Sequence, residues 1–275
     1  MLNYRSQILS AYLSLARIIA TAGIFLFHVY SLLGIDNKGI DTASISIFCF
    51  LSGYLSFGIQ DNPSTWLCKR TIKLMIPYWI IITPVILINR VISFKEATLL
   101  SDIMAFLGFN LFVKNPIYLI SWYITFVLLL YVFLFIFFIQ NKTWLRVIIW
   151  LAGLLFFCLI LKMKYYFISF SFGLFFMIMT GRPNTTISHK DYINRFLFTL
   201  QGKCFCFFLV HGGILAFLRY ELGASKVSLF YWGLALSSLS ALCLQMISQP
   251  LVRIVTKHVL ALLDRSWVER KQIRS

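Results

Sequence analysis

The sequence predicts an all-α, polytopic transmembrane helix bundle of eight spans with both termini on the cytoplasmic side. Three observations lead there. Of 275 residues, 60% are hydrophobic, 17% aromatic and only 12% charged, whereas a soluble globular domain has about 45–50% apolar and about 25% charged residues. The apolar residues fall in runs close to the roughly 20 residues that a helix needs to cross a hydrocarbon core about 30 Å thick. The net charge of +16 is scattered in short basic runs between those segments. That is the pattern of the positive-inside rule, not the single basic patch that binds nucleic acid, so no nucleic-acid partner is expected. The expected location is the cell membrane, with the lipid bilayer as solvent.

The first segment, Ile8–Leu33, has no charged n-region with a small-residue cleavage site, so it reads as a membrane helix that also directs insertion. The further spans are Thr42–Ile59, Leu74–Val91, Leu119–Ile139, Trp144–Leu161, Tyr165–Gly181, Cys204–Tyr220 and Val227–Ile247. A ninth stretch, Leu99–Val113, contains Ser101, Asp102, Gly108 and Asn110 and is short and polar for a span. It reads as an external interfacial or re-entrant helix. Charge decides the matter: with eight spans and the N-terminus inside, sixteen basic residues face the cytoplasm and eight face outward. If Leu99–Val113 also crossed, every later loop would flip and the basic tail would face outward, against the positive-inside rule.

No internal repeat or Gly/Ser linker is visible. The chain therefore reads as one transmembrane domain over residues 1–250 and a basic cytoplasmic tail over 251–275, the latter able to continue as an amphipathic helix on the anionic inner leaflet. Residues Arg182–Lys203 read as a cytoplasmic loop. The six cysteines lie mostly in apolar stretches and show no metal spacing beyond the bare pair Cys204 and Cys206, so they read as buried free thiols.

Ionisable residues inside a membrane helix are costly and point to function. The first span carries Arg17 and His28. Eleven steps of about 100° return to within about 20° of the start after a rise of about 16 Å, so both side chains share one stripe. The bland account has Arg17 snorkelling to the interface and His28 packed with a hydrogen bond. A second cluster, Arg70 and Lys73, sits three residues apart at a helix entrance and shares a face. It serves either as a cytoplasmic anchor or as a dock for an anionic ligand bearing phosphates. His211 precedes Gly212 and Gly213, which permit a close helix approach; Ser52-Gly53 is a similar small-residue pair. His189 and His258 fall in basic polar segments and read as solvated. No Walker loop, Gly-x-Ser-x-Gly elbow or His-Glu-x-x-His is present.

Together these clusters resemble the integral-membrane acyltransferase-3 family. Arg17 to His28 is similar to its basic-x10-His pattern, and Phe48–Leu55 to its Phe-Phe-x-Leu-Ser-Gly-Phe/Tyr-Leu stretch. Arg70-Thr71-Ile72-Lys73 with Pro77-Tyr78 is similar to its Arg-x-x-Arg and Pro pattern, with Lys in place of the second Arg. Ser121-Trp122-Tyr123-Ile124 with Tyr131 resembles its Trp-Tyr helix, and Phe208–His211 its late His-bearing helix. Ser248-Gln249-Pro250 stands where many members have Glu-Pro, and Gln249 carries no charge. The chain is also shorter than typical members, and eight spans fall below their ten or so.

The resemblance implies a membrane O-acyltransferase that moves an acyl group, usually acetyl, from acyl-CoA to a hydroxyl of a cell-surface glycan or its lipid-linked precursor. No cofactor is bound; acyl-CoA is the donor substrate. His28 is then the base that deprotonates the acceptor, or the group that carries the acyl itself, and Arg17 holds the CoA side. Arg70 and Lys73 dock the nucleotide end. His211, Ser52, Trp122 and Tyr123 complete the substrate-binding set, the last three as candidates for stabilising the oxyanion. Two other readings are a transporter or flippase for a lipid-linked sugar, and a catalytically inactive family member.

Overall fold

In lipid every backbone N–H and C=O must be paired within the protein, which leaves helices or closed barrels. The computed structural model describes residues 2–37, 39–56, 59, 62–92, 98–112, 118, 121–180 and 192–272. His189 and the basic residues Lys38, Lys95, Lys114, Arg182, Lys190 and Arg274 lie outside these. Every regular element among the described residues is helical. In order they are α1 (Leu2–Leu32), α2 (Ile40–Tyr54), α3 (Pro63–Ile92), α4 (Leu99–Phe106), α5 (Trp122–Ile139), α6 (Thr143–Leu155), α7 (Lys164–Thr180), α8 (Tyr192–Tyr220) and α9 (Lys226–Gln272). A 3-10 turn, Asn110–Phe112, follows α4, and a π-helical turn, Phe156–Ile160, ends α6.

Six helical stretches are long and apolar enough to cross a membrane: Ala11–Leu32, Pro63–Val91, Trp122–Ile139, Thr143–Ile160, Thr199–Tyr220 and Lys226–Leu262. The helices Ile40–Tyr54 and Lys164–Thr180 are apolar but shorter. Large apolar side chains such as Val91, Met246, Leu159 and Phe172 stand exposed, the reverse of a water-facing surface. This is a multi-pass membrane protein.

Several boundaries differ from expectation. The third span starts at Pro63, not Leu74, because Asn62 Oδ1 accepts the Thr65 amide at 3.0 Å and Pro63 occupies the first helical position, where its missing N–H is no loss. Arg70 and Lys73 therefore lie two turns inside α3 rather than at its entrance. Residues from Tyr192 to Lys203, read as loop, are the first turns of α8. In the same way α9 runs on through Pro250 into the tail as far as Gln272. All six cysteines are free; Cys49, Cys204 and Cys206 are buried, but Cys243 is exposed.

The chain forms two compact units, Met1–Phe57 with Val147–Leu242 and Gly58–Arg146 with Cys243–Ser275. Each is assembled from separated stretches of sequence, so no linker marks either. In the first unit α1 and α2 are antiparallel: Asn37 Nδ2 caps the Phe27 carbonyl at 2.9 Å, and Gly23 lies against Ser44. α1 and α8 run in the same direction, since Arg17 meets Gln201 while His28, further along, meets His211. α2 and α7 are also parallel: Tyr166 faces Thr42, and further along both helices Phe50 meets Phe176 with ring centroids 6.0 Å apart.

The α2–α7 crossing is backbone on backbone. A methyl group at Gly53 would fall on the Phe170 carbonyl and the Leu174 amide, and one at Gly173 on the Phe50 carbonyl and the Tyr54 amide. The Ser52-Gly53 pair is thus a small-residue helix contact of the kind that lets membrane helices approach closely. Around it Phe157, Phe167 and Phe170 are buried, with Phe157 and Phe167 stacked at 4.8 Å.

In the second unit, polar groups tie α4 and the 3-10 turn to α3 and α5. Tyr78 Oη donates to the Ala105 carbonyl at 2.5 Å, and Trp79 Nε1 to that of Phe106 at 2.8 Å. Thr125 Oγ1 donates to the Gly108 carbonyl at 2.5 Å and accepts the Leu111 amide at 3.2 Å. Asn110 Nδ2 donates to Ser121 Oγ, and Arg90 pairs with Asp102. Gly108 takes a φ of 80°, a conformation glycine adopts without strain. From Leu99 to Phe112 the chain is therefore a helix of eight residues, about 12 Å long, followed by a tight turn. Its polar residues are the ones that fasten it.

Gly53→Ala and Gly173→Ala should each destabilise the protein by about 1–3 kcal/mol through overpacking, read as a fall in melting temperature in detergent. Phe172→Ala, on the exposed side of α7, should leave it nearly unchanged.

Candidate functional site

α1 and α8 meet at two levels, and each level holds one of the ionisable residues of α1. At the N-terminal level Arg17 Nη1 donates to Gln201 Oε1 at 3.3 Å. Thr21, one turn on, returns its hydroxyl to the Arg17 carbonyl at 2.8 Å. Three turns along, the His28 and His211 rings lie 5.1 Å apart at 57°. The eleven-residue spacing in α1 is what turns both residues to the same neighbour.

His211 is 1% exposed. Its Nδ1 lies 3.1 Å from the Phe207 carbonyl, and a carbonyl can only accept, so Nδ1 carries a hydrogen. Nε2 is buried with no hydrogen-bond partner among the described residues. In the neutral ring it offers a lone pair with nothing to receive. Buried polar atoms are nearly always paired, so this lone pair is available to a hydrogen-bond donor. The surroundings are aromatic: Phe207 stacks on His211 at 5.6 Å and 6°, with Phe25 and Phe208 further round the ring. His28 is half-buried with its edge on Phe27. Asp41, in the first turn of α2, is the carboxylate whose charge reaches His28. Ser52 lies on α2 with its carbonyl accepting the Ser56 hydroxyl at 2.6 Å.

Arg70, Lys73, Trp122 and Tyr123 belong to the other unit. Arg70 lies over the Trp66 ring at 5.6 Å, a cation–π contact, and Trp66 meets Tyr131 of α5 edge-on at 5.4 Å. Lys73 is exposed, one turn further along α3. Trp122 and Tyr123 sit at the start of α5, edge to face at 6.0 Å. That is about 13 Å along α5 from the Tyr131 level, so the structure does not bring them beside Arg70.

Two residues of the α1 site escaped the sequence. Gln201 was hidden by taking Arg182–Lys203 for a loop. Asp41 was hidden among acidic residues that sit mostly in loops; its place just after Gly39, whose φ is 89°, is what turns the chain so that it faces α1. Comparison with known protein families, with curated proteins and with solved structures returned no match.

Proposed function

We propose that this chain is a membrane O-acyltransferase. On this reading it moves an acyl group, acetyl above all, from cytoplasmic acyl-CoA to a hydroxyl of a cell-surface glycan or its lipid-linked precursor. The observation that carries the reading is the approach of His28 and His211 inside an apolar bundle, with Asp41 in electrostatic reach and Nε2 of His211 without a hydrogen-bond partner among the described residues.

A hydroxyl is a poor nucleophile and needs a base that works near neutrality, which is the range of histidine. His28 takes the hydroxyl proton as the oxygen attacks the thioester carbonyl. The C–O bond forms, the C–S bond breaks, and the departing thiolate takes the proton back from His28. His211 offers its Nε2 lone pair to the acceptor or to His28, which fixes the geometry of attack. Arg17, about 16 Å from His28 along the same stripe, holds the CoA side, and Arg70 and Lys73 receive the nucleotide phosphates.

The helix directions support the orientation this chemistry needs. With α1 parallel to α8 and α2 parallel to α7, an odd number of crossings must separate Tyr54 from Lys164. α3, α5 and α6 supply three, and α4 would make a fourth. The arrangement this favours has eight crossings, both termini on one side and the Leu99–Val113 stretch not crossing; the basic-residue count makes that side the cytoplasm. The basic residues at Arg70 and Lys73 then lie toward the side where CoA resides, and His28 toward the other.

His28→Ala should reduce acyl transfer from labelled acetyl-CoA to extracted glycolipids by about 10²-fold or more with expression and insertion intact; retained activity would sink the assignment. Arg70→Ala should raise the KM for acyl-CoA about tenfold with little change in kcat, and an unchanged KM would exclude docking there. Alkaline phosphatase fused after Asn141 should be inactive and after Lys162 active, and the reverse would overturn the orientation.

A further inference from the structure

A crevice of about 400 Å³ lies in the first unit between α1, α8 and the early part of α9. Phe25, Phe207 and Phe230 line it at the His211 level, and Leu200 lines it further back along α8, with Lys203 between Leu200 and Phe207. α9 is antiparallel to the other two helices here, since Phe230 and Gly233 pack on Phe25 and Leu215 while Leu242 lies toward Lys203. From Leu242 to Phe230 the helix rises about 18 Å. The crevice is open along its side, because Leu200, Leu234 and Leu242 are all more than a third exposed. In a bundle of this composition, the medium it opens to is lipid.

The walls are almost wholly apolar, and two of their polar groups are turned inward. Thr21 bonds the Arg17 carbonyl and Cys204 the Leu200 carbonyl, each on its own helix. An amide-bearing chain such as pantetheine would find little to pair with, and burying an unpaired amide is costly. A hydrocarbon chain requires nothing. At about 30 Å³ for each methylene-sized group, a figure taken from the volume of a water molecule, the space suits a chain of about a dozen carbons. The charge is concentrated on one side of the lining: Lys203 is its charged residue, with Arg17 and Gln201 on the neighbouring turns.

We propose that this crevice binds one chain of an anionic phospholipid, with the headgroup phosphate on Lys203. Phe25 and Phe207 line the crevice and also pack against His211. An occupied crevice therefore props the wall on which the His211 ring rests. The site is independent of whether the histidines transfer an acyl group, since it rests on shape and charge alone.

Native mass spectrometry of the full chain from mild detergent, titrated with phosphatidylglycerol or phosphatidylcholine, tests this. One phosphatidylglycerol should be retained in preference to phosphatidylcholine. Lys203→Gln should weaken its retention about five-fold, in line with the contribution of one basic residue at a membrane surface, and Lys203→Arg should restore it. Ser238→Trp, from an exposed position on the lining of α9, should fill the crevice and abolish retention, while Lys226→Gln, outside the crevice, should change nothing. Equal retention of the two lipids, retention unaffected by both Lys203→Gln and Ser238→Trp, or displacement by acetyl-CoA rather than by lipid would each overturn the proposal.

Discussion

The pairing of α1 with α8 is the constraint on which the first unit depends. Arg17 and His28 cannot face hydrocarbon without large cost, so the stripe that carries them must meet another helix. That helix has to present polar groups at both levels, and α8 does so with Gln201 and His211. Once α1 and α8 run side by side in one direction, α2 must return between them in sequence, and α7 must arrive parallel to α2. The glycine crossing at Gly53 and Gly173 is where those two shorter helices compensate for their length, replacing side-chain packing with contact of the backbones themselves. The site thus rests on packing that lies on the other side of α2.

The second unit solves a different problem with the same rule. Irregular backbone among membrane helices is tolerated where the protein itself satisfies it. The turn after α4 has carbonyls at Ala105, Phe106 and Gly108, and α3 and α5 supply a donor to each. Tyr78 and Trp79 stand just before the run Ile80–Ile82 of α3, and Thr125 just before the run Val127–Leu130 of α5. Aromatic and hydroxyl side chains serve well here because each brings an apolar body and one polar atom.

Much of this was legible in the sequence, and the limits have physical causes. The helical class followed from composition, since lipid admits few alternatives. Among the described residues each expected span overlaps a helix, six of them long and apolar enough to cross a membrane. The shared face of Arg17 and His28 followed from helix periodicity. Helix starts were less visible: α3 and α8 begin well before their apolar runs, because a polar first stretch forms backbone hydrogen bonds as readily as an apolar one. Partners across helices were not visible at all. His211 was noticed as a lone histidine, but its place beside His28 depends on the direction of α8, and Asp41 depends on one left-handed glycine. Trp122 and Tyr123 stood out by type, yet they lie far along α5 from Arg70.

The fastening of α4 also bears on how the protein is made. A helix of eight residues cannot partition into the bilayer by its own hydrophobicity, and α3 alone leaves the Gly108 carbonyl and Asn110 unmet. The missing partners, Ser121 and Thr125, lie at the start of α5, which leaves the ribosome later. The segment has to wait at the membrane surface until α5 arrives, and the three then settle together. Biogenesis of this half of the chain is therefore not a string of independent insertions. A lesion at Thr125 would reveal itself first as a failure of assembly, before any chemistry is reached.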